Sequence, residues 1–161
     1  KLSIKMLYLY ITLILTIMNA LYKFLFPSEE STKTVSVAIL ALRLVFGLFI
    51  ISHGYMKLTS FSTLEQNFPD PLGLGSQLSL MLAIFAELFC GLAFTFGFIT
   101  RVVLIPMIFT MLVAVFVIHA NDPMAVKELA ILYLAVFCIS YISGPGRYSV
   151  DYVVRNKLIK K

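Results

Sequence analysis

Apolar residues in this chain do not alternate with polar ones; they come in long runs broken by short polar clusters. Four runs reach the roughly 20 residues that a helix needs to cross about 30 Å of hydrocarbon, at 36–56, 77–97, 101–119 and 124–143. The breaks between them carry the chemistry of helix ends. The second run follows Pro71, Gly73, Gly75 and Ser76, a turn cluster ending on a residue suited to an N-cap. Only Gly97 to Thr100 separates the second run from the third, which predicts a tight antiparallel hairpin. The fourth opens with Asn121, Asp122 and Pro123, a cap followed by a first-turn proline, and closes at Gly144, Pro145 and Gly146.

Shorter segments fill in the picture. Between the first two runs, Ser62 to Glu65 reads as a capping box, with Phe61, Leu64 and Phe68 on one side of a short interfacial helix that would lie as a lid over one mouth of a bundle. After Gly146, Val150, Val153, Val154 and Leu158 recur at near-helical spacing beside Arg155, Lys157, Lys160 and Lys161, a basic amphipathic segment suited to a membrane surface. Met6 to Phe26 is apolar and nearly long enough to span, with Lys1 and Lys5 in front as in a signal sequence. A fifth crossing with those lysines inside would export the basic tail, so the expectation is a helix along the membrane or beside the bundle. Met18 offers an alternative start that would leave the first 17 residues outside the natural chain.

Basic residues fix the expected orientation. Four spans put Lys23, Lys33, Arg101, Arg147, Arg155, Lys157, Lys160 and Lys161 on one side and only Lys57 and Lys127 on the other. Lysine and arginine accumulate on the cytoplasmic side, so both termini are predicted there. The expected architecture is an all-α membrane protein, a four-transmembrane-helix antiparallel bundle over 36–144, N-in and C-in. The apolar segment 1–35 precedes it and a cytoplasmic tail, 145–161, follows.

Composition supports the bilayer as solvent. Of 161 residues, 60% are hydrophobic and 13% charged, against about a quarter charged in ordinary soluble domains. Mean hydropathy is +0.96. The net charge of +5 could suggest nucleic acid, but the basic residues cluster at helix ends and in the tail, where headgroup contact explains them. Cys90 and Cys138 lie singly inside apolar runs, without a C-x-x-C partner, and are expected to be inert buried thiols.

Ionisable groups inside a bilayer are costly, so each needs a partner or a purpose. In the first span Arg43, His53 and Lys57 fall within an arc of roughly 80° on a helix, with Gly47 and Gly54 adjoining. Glu87 stands mid-way along the second span, among Ala83, Cys90 and Gly91. By depth its expected partner is Arg43, in a buried ion pair that serves either catalysis or helix order. His53, Lys57, His119, Lys127 and Glu128 fall near helix ends on one side, where two histidines and a carboxylate could bind a metal, relay protons or simply meet water and headgroups. Arg101 and His119 bracket the third span. Met107, Met111 and the phenylalanines suit either core packing or a slot for a lipophilic ring.

Taken in order, these residues form a recognisable pattern. Arg43-Leu-Val-Phe-Gly47, His53-Gly54-Tyr-Met-Lys57, Glu87-Leu-Phe-Cys-Gly91, Gly97-Phe-Ile-Thr-Arg101, His119, Lys127-Glu128-Leu129-Ala130 and Gly144-Pro145-Gly146-Arg147 with Asp151 resemble the DoxX family of bacterial membrane proteins, over residues 36–152. The resemblance implies a multi-pass protein of the bacterial inner membrane. Relatives form the membrane part of a thiosulfate:quinone oxidoreductase or accompany redox-defence complexes. The chain is also broadly similar to quinone-reactive four-helix proteins of the vitamin K epoxide reductase type, but it lacks their C-x-x-C. The implied function is a membrane subunit of a quinone-linked oxidoreductase. A quinone would be held near Arg43, Lys57, His119, Glu128 and Arg101, with Glu87 or His53 handling its protons. Without a C-x-x-C-H, a nucleotide loop or a cysteine cluster, no covalently bound cofactor or metal is expected, and electrons would come from a redox partner protein. A homo-oligomer is compatible with such a bundle. The rival readings are a non-catalytic membrane scaffold or assembly subunit and a small carrier of anionic metabolites, the latter without the inverted repeat of known transporters.

Overall fold

The computed structural model describes residues 4–25 and 32–159. Lys1, Lys160 and Lys161, and the side chain of Lys23, which entered the topology expectation, lie outside the described residues. Every regular element among those described is helical. Helix α1 covers Ile4–Leu25, α2 Lys33–Thr59 and the single-turn α3 Phe61–Leu64. The next span consists of α4 (Ser76–Ile84), a π-helical turn at Phe85–Phe89 and α5 (Cys90–Phe96). The span after it consists of α6 (Thr100–Val113) and a second π-turn at Ala114–Ile118. Helix α7 covers Met124–Ser143, and α8, Val150–Ile159, follows it.

The four expected spans coincide with these helices to within a few residues, and they close into a ring. Helix α2 packs on the α4–α5 span, α5 on α6, α6 on α7 and α7 back on α2. Helix α1 packs chiefly on α6, with its side chains exposed for the most part. It too is long and apolar enough to cross a membrane, which makes five such helices among the described residues. Large apolar side chains such as Leu48, Phe49, Phe96 and Phe116 point outward, while Arg43, Glu87, Thr100 and Asp151 are buried. This inversion of the soluble pattern is what a hydrocarbon solvent selects.

Glycines set the register between α2 and the next span. A Cβ on Gly54 would lie 2.6 Å from the Leu88 backbone nitrogen, and one on Gly91 would lie 3.0 Å from Ile50 and 3.2 Å from Ile51. One on Gly47 would collide with the Thr95 hydroxyl. Small residues let backbones approach and gain dispersion contacts where lipid removes the hydrophobic driving force. With Gly47 against Thr95 and Gly54 against Leu88, the first two turns of α4 extend past the end of α2. Phe61, Leu64 and Phe68 fold over that overhang onto Leu80, Ile84 and Leu88. Gly54→Leu is expected to destabilise the protein by about 1–3 kcal/mol through overpacking, read as a lower midpoint in thermal unfolding in detergent. An unchanged midpoint would show that the seam is loose.

Three expectations about caps change, the first at α7, where Pro123 itself takes the cap position without a side-chain cap and the helix opens on Met124. Ser62 and Glu65 form no capping box, because the cap of α3 lies two residues earlier, at Ser60, whose carbonyl accepts from Thr63 and Leu64. At α4 the cap position is Gly75, at φ 96, and Ser76 opens the helix with its hydroxyl donating to the Phe68 carbonyl at 2.6 Å. The hairpin turn is tight as expected, with Gly97 at φ 69 and Ile99 at φ 40. A β-branched residue in the left-handed region is strained. Asp151 holds it there, one carboxylate oxygen accepting from Ile99 N at 2.7 Å and the other from Thr100 N and Oγ1 at 2.9 and 2.8 Å.

Candidate functional site

The overhang of α4 leaves space beside it. A cavity of about 540 Å³ lies between the α4 span and α6, with Lys57 at one wall and Phe68, Pro69, Pro71 and Leu72 of the loop over it. Its other walls are apolar for the most part, including Leu82, Ala83 and Phe85 on one helix and Pro106, Phe109, Val113 and Ala114 on the other. Phe85 and Phe109 are half exposed, so the mouth faces the lipid side as well as the loop. Volume and lining are those of a small-molecule site. Each flanking span carries a π-turn at this level, and Pro106 removes one backbone donor from α6. Wide turns of this kind recur at functional sites because they redirect a side chain without ending the helix.

The first π-turn carries Glu87. Its carboxylate accepts from Lys57 Nζ at 2.5 Å, and the side chains are 8% and 25% exposed respectively. Both line the cavity. Gly54 brings α2 against the π-turn backbone, and Lys57, one turn further on, therefore reaches Glu87. This corrects the expected Arg43–Glu87 pair. Arg43 stands 14 residues before Lys57, about 21 Å away along the helix axis. It is buried at the opposite end, where its guanidinium donates to the carbonyls of Pro145 at 2.8 Å and Tyr148 at 2.5 Å. The charge of Asp151 acts on the same group.

The remaining expected residues divide. His119 lines the cavity with Lys57 and Glu87. Its Nδ1 lies 2.7 Å from Asp122 Oδ2. His53 instead packs against Tyr133, ring centroids 6.1 Å apart and edge-on, outside the cavity lining. Arg101 opens α6 at the Arg43 end, and Glu128 is exposed on α7; neither belongs to the lining. Lys127 donates to the Ala120 carbonyl at 3.0 Å. No three metal-ligating side chains converge among the described residues. Cys90 and Cys138 are free thiols, the first buried. Met107 and Met111 sit in the packed core with Phe94, Tyr133 and Phe137, not along the cavity. Sequence reasoning missed Asp122 as a side-chain partner because the same residue also reads as a helix cap; its position three residues after His119 was the available signal. The π-turns left no recognisable sequence signal.

Asp70 anchors the loop over the cavity. Its carboxylate accepts from Ser79 Oγ at 2.8 Å, Gly75 N at 2.7 Å and Leu74 N at 2.9 Å. These bonds, the serine's first, hold the carboxyl below its ordinary range. A depressed folded value means that the loop gains full support above the unfolded carboxylate value, about 4, and loses it as pH falls through the folded one. Protection of the 70–79 amides, measured as exchange relative to the intrinsic rate at each pH, is accordingly expected to be high at neutral pH and to fall in acid. Asp70→Asn should be weakly protected throughout; an acid response retained in that variant would assign the effect elsewhere.

Comparison with known proteins places this arrangement among relatives. The family model described as DoxX matches residues 38–120. The chain is 32% identical over 130 residues to the inner membrane protein YqjF of Escherichia coli (strain K12), covering 78% of this chain and 98% of that protein. No solved structure gives a significant match.

Proposed function

The chain belongs to the DoxX family, and from that premise we propose that it is a multi-pass protein of the bacterial inner membrane whose cavity holds the ring of a quinone or similar lipophilic ligand, as the membrane subunit of a quinone-linked redox system. The observation that carries this reading is the Lys57–Glu87 ion pair set into the wall of an apolar cavity whose mouth faces lipid. A quinone needs a flat apolar slot for its ring, a donor for its oxygens and a route from the bilayer. Lys57, with hydrogens beyond the one given to Glu87, stabilises negative charge on a ring oxygen. Glu87, and His119 in place of His53, exchange protons with the ligand. Reduction takes two electrons and two protons per quinone, the electrons coming from a partner protein.

A second reading, a non-catalytic scaffold, draws on the Arg43 and Asp151 network, which joins the tail to the bundle and does not line the Lys57–Glu87 cavity. One titration separates the two. Decylubiquinone is expected to bind saturably to the protein in lipid nanodiscs, and Ala83→Phe, which fills the cavity and keeps both members of the ion pair, is expected to abolish that binding in a protein of unchanged thermal stability. Absence of saturable binding, or binding indifferent to Ala83→Phe, would leave the scaffold reading standing.

A further inference from the structure

Beyond Lys57 and Glu87, the α6 side of the cavity ends in a pair of residues whose geometry determines what that wall can accept. His119 follows the second π-turn, and its backbone N–H donates to the Ala114 carbonyl at 2.9 Å, the last wide turn of the helix. The chain then reverses. Asp122 N donates to the His119 carbonyl at 3.1 Å, and this tight turn returns the Asp122 carboxylate to the imidazole that it left three residues before. The ring is therefore held from its backbone and from its Nδ1 edge together.

Chemistry then assigns the hydrogen. An ionised carboxylate only accepts, so the Nδ1···Oδ2 contact of 2.7 Å places the proton on Nδ1. In the neutral ring this leaves Nε2 with its lone pair, and Nε2 makes no hydrogen bond among the described residues. Because Nδ1 is taken by Asp122, Nε2 is the polar atom that His119 can bring to the cavity it lines. An acceptor there favours a ligand bearing a hydroxyl and disfavours one whose oxygen can only accept, since two facing lone pairs leave both unsatisfied.

We propose that Asp122 is a positioning residue that fixes the tautomer of His119 and thereby makes the α6 wall selective for hydroxyl-bearing lipophilic rings over their ether or carbonyl counterparts. The proposal rests on the reading of the cavity as a ring-binding site, and it names the ligand's chemistry more closely: one oxygen accepts from Lys57, the other donates to His119. A ring in its reduced, hydroxylated form is held more tightly than the oxidised one.

The test uses two probes that do not change redox state, 4-nonylphenol and its methyl ether 4-nonylanisole, titrated against the full chain in nanodiscs at pH 8, each affinity corrected for partition into protein-free discs. Wild type is expected to prefer the phenol by about tenfold, the scale of one neutral hydrogen bond. In Asp122→Ala, where nothing holds the hydrogen on Nδ1, the preference is expected to shrink to about twofold, and in His119→Phe to vanish. Both positions are partly exposed in a connecting turn, so the variants keep the bundle. Ring nitrogen shifts in a ¹⁵N-histidine sample provide an independent reading: a protonated Nδ1 in wild type, and a protonated Nε2 gaining population in Asp122→Ala. Equal phenol preference in wild type and Asp122→Ala, with both binding, overturns this proposal alone. If neither probe binds wild type saturably, the cavity reading falls and takes this one with it.

Discussion

Lys57→Met is expected to lower stability by about 3–5 kcal/mol, because it leaves Glu87 buried in the middle of a span without its cation. Removing both charges is a different experiment. In the double variant Lys57→Met with Glu87→Leu no buried charge is stranded, and replacement of an ion pair by apolar groups of similar volume is often neutral or better. The double variant is therefore expected to recover to within about 1 kcal/mol of wild type while failing to bind decylubiquinone. Thermal unfolding in detergent and the nanodisc titration read the two effects separately. If the double variant is as unstable as the single one, the pair contributes through shape and not charge; if it is stable and still binds, the pair is a helix-orienting device and the redox reading loses its main support.

A comparable loss is expected at the other end of the bundle. Asp151→Ala removes the acceptor of three hydrogen bonds from Ile99 and Thr100 and the carboxylate whose charge acts on buried Arg43. The cost is again about 3–5 kcal/mol, and it should appear first as release of α8, measured by protease cleavage within 147–159. Arg43→Lys should release the same segment, since an ammonium cannot reproduce a guanidinium fork reaching two carbonyls. A tail as protected as in wild type would count against this joint. Cavity binding, far along α2, should survive in any fraction that stays folded.

The spans were legible because apolar run length and Gly, Pro and Asn punctuation report directly on the bilayer and on helix ends. So was the list of costly ionisable residues. Their partners were not. Pairing by depth assumed that neighbouring helices start level, whereas the offset is fixed by Gly54 lying against Leu88 and Gly47 against Thr95. That offset sends Arg43 to the hairpin turn and Lys57 to Glu87. The glycines were visible in the sequence; which backbone each would meet was not. His53 illustrates the same limit. Its place on the polar arc of α2 was correctly read, yet a few tens of degrees of rotation decide whether it faces the cavity or the ring of Tyr133. Asp70 and Asp122 were hidden for another reason: short loop acids read as turn or cap formers, and only the fold of the turn tells which side chain they face.

The π-turns have a consequence for how this protein tolerates change. Such a turn holds one residue more than an α-helical turn, so it acts as a phase shifter within a continuous rod. Were the bonds of Phe85–Phe89 to close in the α pattern with every residue kept, α5 would rotate by about 100° against α4. Gly91 and Thr95 would then swing away from Ile50 and Gly47, while the cavity-facing side of α4 stayed where it was. Deleting one residue along with that closure would restore the phase, so the extra residue and the wide turn compensate each other, and the seam depends on their staying matched.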